Sequence, residues 1–98
     1  MELQKLELTT PICQLCERAV AALTVHHLVP KSQGKKGETL PTVNLCPACH
    51  RQLHALFSDQ QLARELASLE TLRQNPAIQK FLRWVRKQDA NKRIKVRR

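Results

Sequence analysis

The sequence predicts a small α+β domain, in which a two-stranded hairpin and a helix are closed by a cluster of four cysteines and followed by further helices. Three observations predict it. Two Cys-x-x-Cys pairs, Cys13 with Cys16 and Cys46 with Cys49, lie on either side of residues 17–45. Between them, short β-branched pieces flank a glycine-containing loop. After the second pair, apolar residues recur at helical spacing as far as Val85. A chain of 98 residues is short enough for one domain, expected over 1–98. Within it the pattern divides into an N-terminal extension (1–12), a cysteine and histidine body (13–57), C-terminal helices (58–88) and a basic tail (89–98).

Each element has a local reason. Leu23, Thr24 and Val25 suit a first strand with His26 and His27 at its end, and Thr42 and Val43 suit its partner. Residues 31–41 hold both glycines of the chain and read as the loop between the strands. Pro47, directly after Cys46, suits the first turn of a helix through about Phe57. Ser58 with Gln61 forms a capping box, and the spacing of Leu62, Leu66 and Leu69 predicts one continuous helix over about 59–74. Asn75-Pro76 breaks that helix and opens another, whose Ile78, Phe81, Leu82 and Val85 form a core-facing stripe. Lys80, Arg83 and Lys87 fall away from the stripe.

Composition narrows the function classes. The length excludes a large cavity-forming enzyme, and 3% aromatic content leaves a core that is marginal at this size without a staple. Lys and Arg number 17 against 8 Asp and Glu, a net charge of +9. Residues 80–98 hold nine of the basic residues against one acid, Asp89. That end has the form of a phosphate-binding extension, the bland alternative being a solvated tail. The longest uncharged stretches, Ala19 to Pro30 and Thr39 to His50, fall short of the ~20 apolar residues of a membrane span. The start carries acids where a signal peptide is basic and then apolar. A cytoplasmic location is expected, and in a reducing compartment cysteines serve as metal ligands more often than as disulfides.

Each Cys-x-x-Cys pair can place two thiolates on one ion, so Cys13, Cys16, Cys46 and Cys49 predict a closed tetrahedral zinc site. With no open position such a site is structural, and it supplies the folding energy that the small core lacks. The rival, redox motifs of thioredoxin type, needs a βαβ unit around both pairs that this chain does not accommodate. All four histidines lie between Val25 and Ala55. His50 and His54, at i and i+4, share a helix face. Strand alternation sends His26 and His27 to opposite faces, so one can join His50 and His54 on a metal while the other addresses a water. Packing histidines are the alternative, and four of them on two elements beside a metal knuckle argue against it. Imidazole as a base and a divalent ion with open positions are what phosphodiester hydrolysis needs.

The ordered run of Cys13-Gln14-Leu15-Cys16, Val25-His26-His27-Leu28-Val29-Pro30-Lys31-Ser32 and Leu45-Cys46-Pro47-Ala48-Cys49-His50-Arg51-Gln52-Leu53-His54-Ala55-Leu56-Phe57 resembles the HNH endonuclease family over residues 13–57. The resemblance implies a zinc-stabilised ββα-metal, treble-clef-like fold. It also implies metal-dependent hydrolysis of DNA to 5′-phosphate and 3′-hydroxyl ends. It makes His27 the general base, and His26, His50 and His54 ligands of a catalytic divalent metal (Mg, Mn, Ni, Co or Zn). Asn44, or alternatively Thr42, fills the middle position of the motif; in most of the family that Asn lies further upstream of the third cysteine. DNA is the expected partner, its backbone phosphates held by Lys31, Lys35, Lys36, Arg51, Lys80, Arg83, Lys87 and Arg93. A monomer with no obligate protein partner is expected. The alternative is a non-catalytic zinc-stabilised nucleic-acid-binding module, which has no need of His27 beside a second metal site.

Overall fold

The β-branched pieces pair as expected. In the computed structural model, which describes residues 11–35, 37 and 39–90, β1 (Thr24–His27) and β2 (Thr42–Leu45) form an antiparallel hairpin. The register sets Thr24 against Leu45, Val25 against Asn44, His26 against Val43 and His27 against Thr42. Residues directly opposite share a sheet face. His26, Val43 and Leu45 therefore turn inward and are buried, whereas Val25, Thr42 and Asn44 are exposed. Both histidines belong to the strand, so β1 begins one residue later and ends two residues later than the apolar triplet alone suggests. Residues 1–10 of the N-terminal extension, Lys36, and residues 91–98 of the tail with Arg93 lie outside the described residues.

Before the hairpin, the first cysteine pair sits in a tight reversal. The Cys13 amide donates to Arg18 O at 3.1 Å, the Glu17 amide donates to Cys13 O at 2.9 Å, and Ile12 bridges to Ala19. Glu17 adopts a left-handed φ of 66°, which turns the chain back directly behind Cys16.

Helix α1 (Pro47–Leu56) starts from Cys46, whose sulfur accepts from the Cys49 amide at 3.5 Å, with Pro47 in the first turn. Helix α2 (Asp59–Glu65) opens on the Ser58–Gln61 capping box. The helix expected over 59–74 is not continuous. It stops at Glu65 and restarts as α3 (Leu69–Gln74) from a second capping box, Ser68 with Thr71. In one straight helix Leu72 would lie about 80° around the axis from Leu62; the break lets both be fully buried. Helix α4 (Pro76–Val85) is capped by Asn75 Oδ1, which accepts from the Ala77 and Ile78 amides at 2.9 and 3.2 Å.

Ile78, Leu82 and Val85 of α4 are buried, and a single core runs from the cysteines through Leu45 and Leu53 to Leu62, Leu72 and Val85. Side chains from the later helices pin the first cysteine turn: Arg73 Nη2 donates to Gln14 O at 2.7 Å and Arg86 Nε to Cys16 O at 3.0 Å. Among the described residues no helix is long and apolar enough to cross a membrane.

Candidate active site and metal centres

Cys13, Cys16, Cys46 and Cys49 are buried, free of disulfides, and present sulfurs that all lie within 4.8 Å of one another. The separation of Cys16 Sγ from Cys46 Sγ is 3.9 Å. A disulfide requires about 2.05 Å, whereas the edge of a tetrahedron with Zn–S bonds of about 2.3 Å measures about 3.8 Å. The cluster thus has the dimensions of a zinc site. Its sulfurs also divide by charge: Cys16 and Cys46 are lowered by hydrogen bonding with Cys13, Cys46 to about 6. Cys13 is raised by its bond with Cys16, and Cys49 by its bond with Cys13. Four sulfurs this close share protons until a cation replaces them. Arg18 supplies part of that charge, with Nε donating to Cys16 Sγ at 3.2 Å and Nη2 to Cys46 Sγ at 3.6 Å. Its Nη1 reaches Gln88 O and Asp89 O at 3.3 and 3.4 Å, so the same guanidinium holds the chain beyond α4.

A second cluster lies between the hairpin and α1. His26, His50 and His54 each offer a ring nitrogen within 4.8 Å of the others, and their ring centroids are 5.0 to 5.4 Å apart. His26 is 1% exposed, and neither of its nitrogens has a hydrogen-bond partner. Burial, reinforced by the neighbouring His50 and His54, pushes it down to about 4, so it is neutral at pH 7 with a lone pair to donate. A buried ring with two unpaired nitrogens costs about 1–3 kcal/mol unless something binds them, and a metal ion is the partner that fits three converging imidazoles.

His50 is oriented by Thr24. The Thr24 hydroxyl donates to Leu45 O at 2.9 Å and lies 2.8 Å from His50 Nδ1. With its proton committed to the carbonyl, it accepts from Nδ1–H, which leaves Nε2 as the nitrogen available to a metal. Behind His54, Asp59 Oδ1 stands 4.0 Å from Nδ1, and Ser32 Oγ donates to Asp59 Oδ2 at 2.9 Å.

His27 occupies the opposite face of β1, half-buried, with Thr42 directly across the register. Asn44 is on the same face at the diagonal position, across from Val25. Its amide donates to Gln14 Oε1 at 2.7 Å, and its carbonyl accepts from the Gln14 amide at 2.9 Å. The strand therefore presents one histidine to the metal cluster and the other away from it.

The HNH endonuclease family model matches residues 13–56, the stretch that carries all four cysteines and all four histidines. The chain belongs to the HNH endonuclease family. It is 46% identical to the uncharacterized protein YisB of Bacillus subtilis over 89% of this chain and 85% of that one. It is also 43% identical to the type IV methyl-directed restriction enzyme EcoKMcrA of Escherichia coli, over 45% of this chain. A third relative, anaredoxin of Nostoc, is 33% identical over 43% of this chain. The chain spans only 16% of the restriction enzyme and 55% of anaredoxin. No solved structure matches it.

As an HNH domain the structure brings together the four expected cysteines and three of the four histidines, and it leaves the described basic candidates at the surface. Lys31, Lys35, Arg51, Lys80, Arg83 and Lys87 are all exposed. Lys31 opens a short 3-10 turn (Lys31–Gln33) after β1, Arg51 follows His50 on α1, and Lys87 lies in the turn after α4. Two residues of this HNH site escaped the sequence reading. Thr24 had a signal, since a residue two positions before His26 on a strand shares its face. Arg18 had none, because its contacts join parts of the chain far apart in sequence.

Proposed function

We propose that this protein is a metal-dependent endonuclease that hydrolyses DNA phosphodiester bonds, acting as one domain over residues 1–98. The observation that carries the proposal is the convergence of His26, His50 and His54 within 4.8 Å beneath a strand whose last residue, His27, faces the other way, in an HNH chain. His27 is the general base: its imidazole takes the proton of the attacking water. Asn44, on the same face, or alternatively Thr42, directly across from it, orients that base. His26, His50 and His54 would hold a divalent ion, whether Mg, Mn, Ni, Co or Zn, which would supply positive charge for the phosphate and the departing 3′-oxygen. The cysteine-bound zinc is structural, because four thiolates fill its coordination. Lys31, Lys35, Lys36, Arg51, Lys80, Arg83, Lys87 and Arg93 hold backbone phosphates and read no bases. Kinship with a restriction enzyme supports DNA as the substrate. In this reading the protein acts as a monomer in the cytoplasm.

The test is supercoiled plasmid incubated with zinc-loaded protein and each of the five ions. Wild type is expected to nick or cut with at least one of them. His27→Ala should lower the rate by at least about 100-fold while zinc content and DNA affinity stay unchanged. Binding without cutting under every ion would leave a zinc-stabilised DNA-binding module.

A further inference from the structure

The outer face of α4 sets an exposed aromatic ring among its phosphate-holding cations, and the hydrolytic site makes no use of that ring. Lys80, Arg83 and Trp84 stand at i, i+3 and i+4, and Lys87 follows at i+7 in the turn that ends the helix, so the four share one solvent-facing stripe. All four are exposed. Trp84 is 47% exposed, although the remaining apolar residues of the C-terminal half of α4, Leu82 and Val85, are buried and Phe81 is half-buried.

The ring is also supported. Phe81 lies against Trp84 with centroids 6.2 Å apart, and the Trp84 carbonyl accepts from the Lys87 amide at 3.1 Å and from Gln88 Nε2 at 3.5 Å. Helix α4 contains no carboxylate. A flat π surface held in place among three cations, with no acid on its own helix, complements a polyanion that carries exposed aromatic rings. Protein-binding patches, by contrast, are depleted in lysine.

We propose that this face binds single-stranded DNA, with an unpaired base stacked on Trp84 and the flanking phosphates held by Lys80, Arg83 and Lys87. The inference rests on the reading of the chain as a DNA-binding nuclease and narrows its substrate to DNA that carries an unpaired stretch. Duplex DNA keeps its bases stacked on one another and offers Trp84 phosphates, sugar and base edges but no free base face.

The chain contains one tryptophan, so its fluorescence reports this position alone. Zinc-loaded His27→Ala protein is titrated with a single-stranded oligonucleotide, with the same sequence as a duplex, and with inorganic polyphosphate. The expected result is saturable quenching by the single strand, at least about tenfold tighter than by the duplex, and no quenching by polyphosphate even where it competes for binding. Trp84→Ala should weaken single-strand binding about tenfold and Trp84→Phe should restore most of it, with unchanged melting temperatures. Lys80→Gln and Arg83→Gln should flatten the salt dependence without changing the fully quenched level.

Binding of the single strand without a change in emission would overturn the proposal, as would equal quenching by the duplex. Emission that changes with protein concentration alone would overturn it too, assigning the face to a second copy of the chain. Quenching with no plasmid cleavage by wild type would remove the nuclease reading and leave this one standing. Cleavage without quenching would remove this one alone.

Discussion

The hydroxyl of Thr24 lies between a carbonyl that needs a donor, Leu45 O, and a ring nitrogen that needs an acceptor, His50 Nδ1. Valine has the same shape without the hydroxyl, so Thr24→Val removes the orienting bond to His50 together with the bond to Leu45 O and leaves the packing in place. Calorimetry on the zinc-loaded protein is expected to show about tenfold weaker binding of Mn or Ni at the histidine site, with helix content unchanged. His26 makes the residue scale visible in another way. Its folded value of about 4 lies below the ordinary 6.5, so between those values the unfolded chain takes up a proton that the folded chain refuses. Stability from this residue is therefore complete above pH 6.5 and declines as the pH falls toward 4. The decline is about 2 kcal/mol between pH 7 and pH 5. Urea midpoints should fall more steeply over that interval for wild type than for His26→Leu, the acid sensitivity of the cysteine site being common to both.

At the scale of elements, the strongest expectations rest on covalent constraint or metal chemistry. Pro47 fixes the start of α1, the two Cys-x-x-Cys pairs fix where the chain must close, and β-branched Thr24, Val25, Thr42 and Val43 fix the hairpin between them. The inward turn of His26 follows from strand alternation alone. The break between α2 and α3 was not legible, because Leu62, Leu66 and Leu69 satisfy helical spacing whether or not the helix continues. Only the burial of Leu72 decides it, and burial depends on what the helix packs against. A local trace exists in Ser68 with Thr71, but Thr71 stands where the usual capping box has Glu or Gln. Ser68→Ala should cost about 1 kcal/mol in urea denaturation. It should not increase helix content, because joining α2 to α3 would pull Leu72 out of the core. The candidate site was legible as residue types at spacings, whereas its supports, Arg18 and Thr24, depend on a tertiary arrangement.

Across the whole molecule, one core joins the cysteine cluster to all four helices, and Arg18, Arg73 and Arg86 tie the first cysteine turn to the C-terminal half. Removing the cysteine-bound zinc with a strong chelator should therefore unfold the entire domain, read as loss of the far-ultraviolet helical signal. A milder chelator that reaches only the histidine cluster should leave that signal intact and end cleavage; the same outcome from both would refute the separation into two sites. Helix α1 carries candidate ligands for each: Cys46 and Cys49 at its start, His50 and His54 directly after. Both clusters depend on the position of this one helix, since the start that Cys46 and Cys49 define also sets where His50 and His54 meet His26. On the proposed two-metal reading, the first ion would enter during folding and the second afterwards. On that reading zinc starvation would cost the cell both sites together, whereas a dearth of the second ion would leave a folded protein whose output follows the supply of that ion.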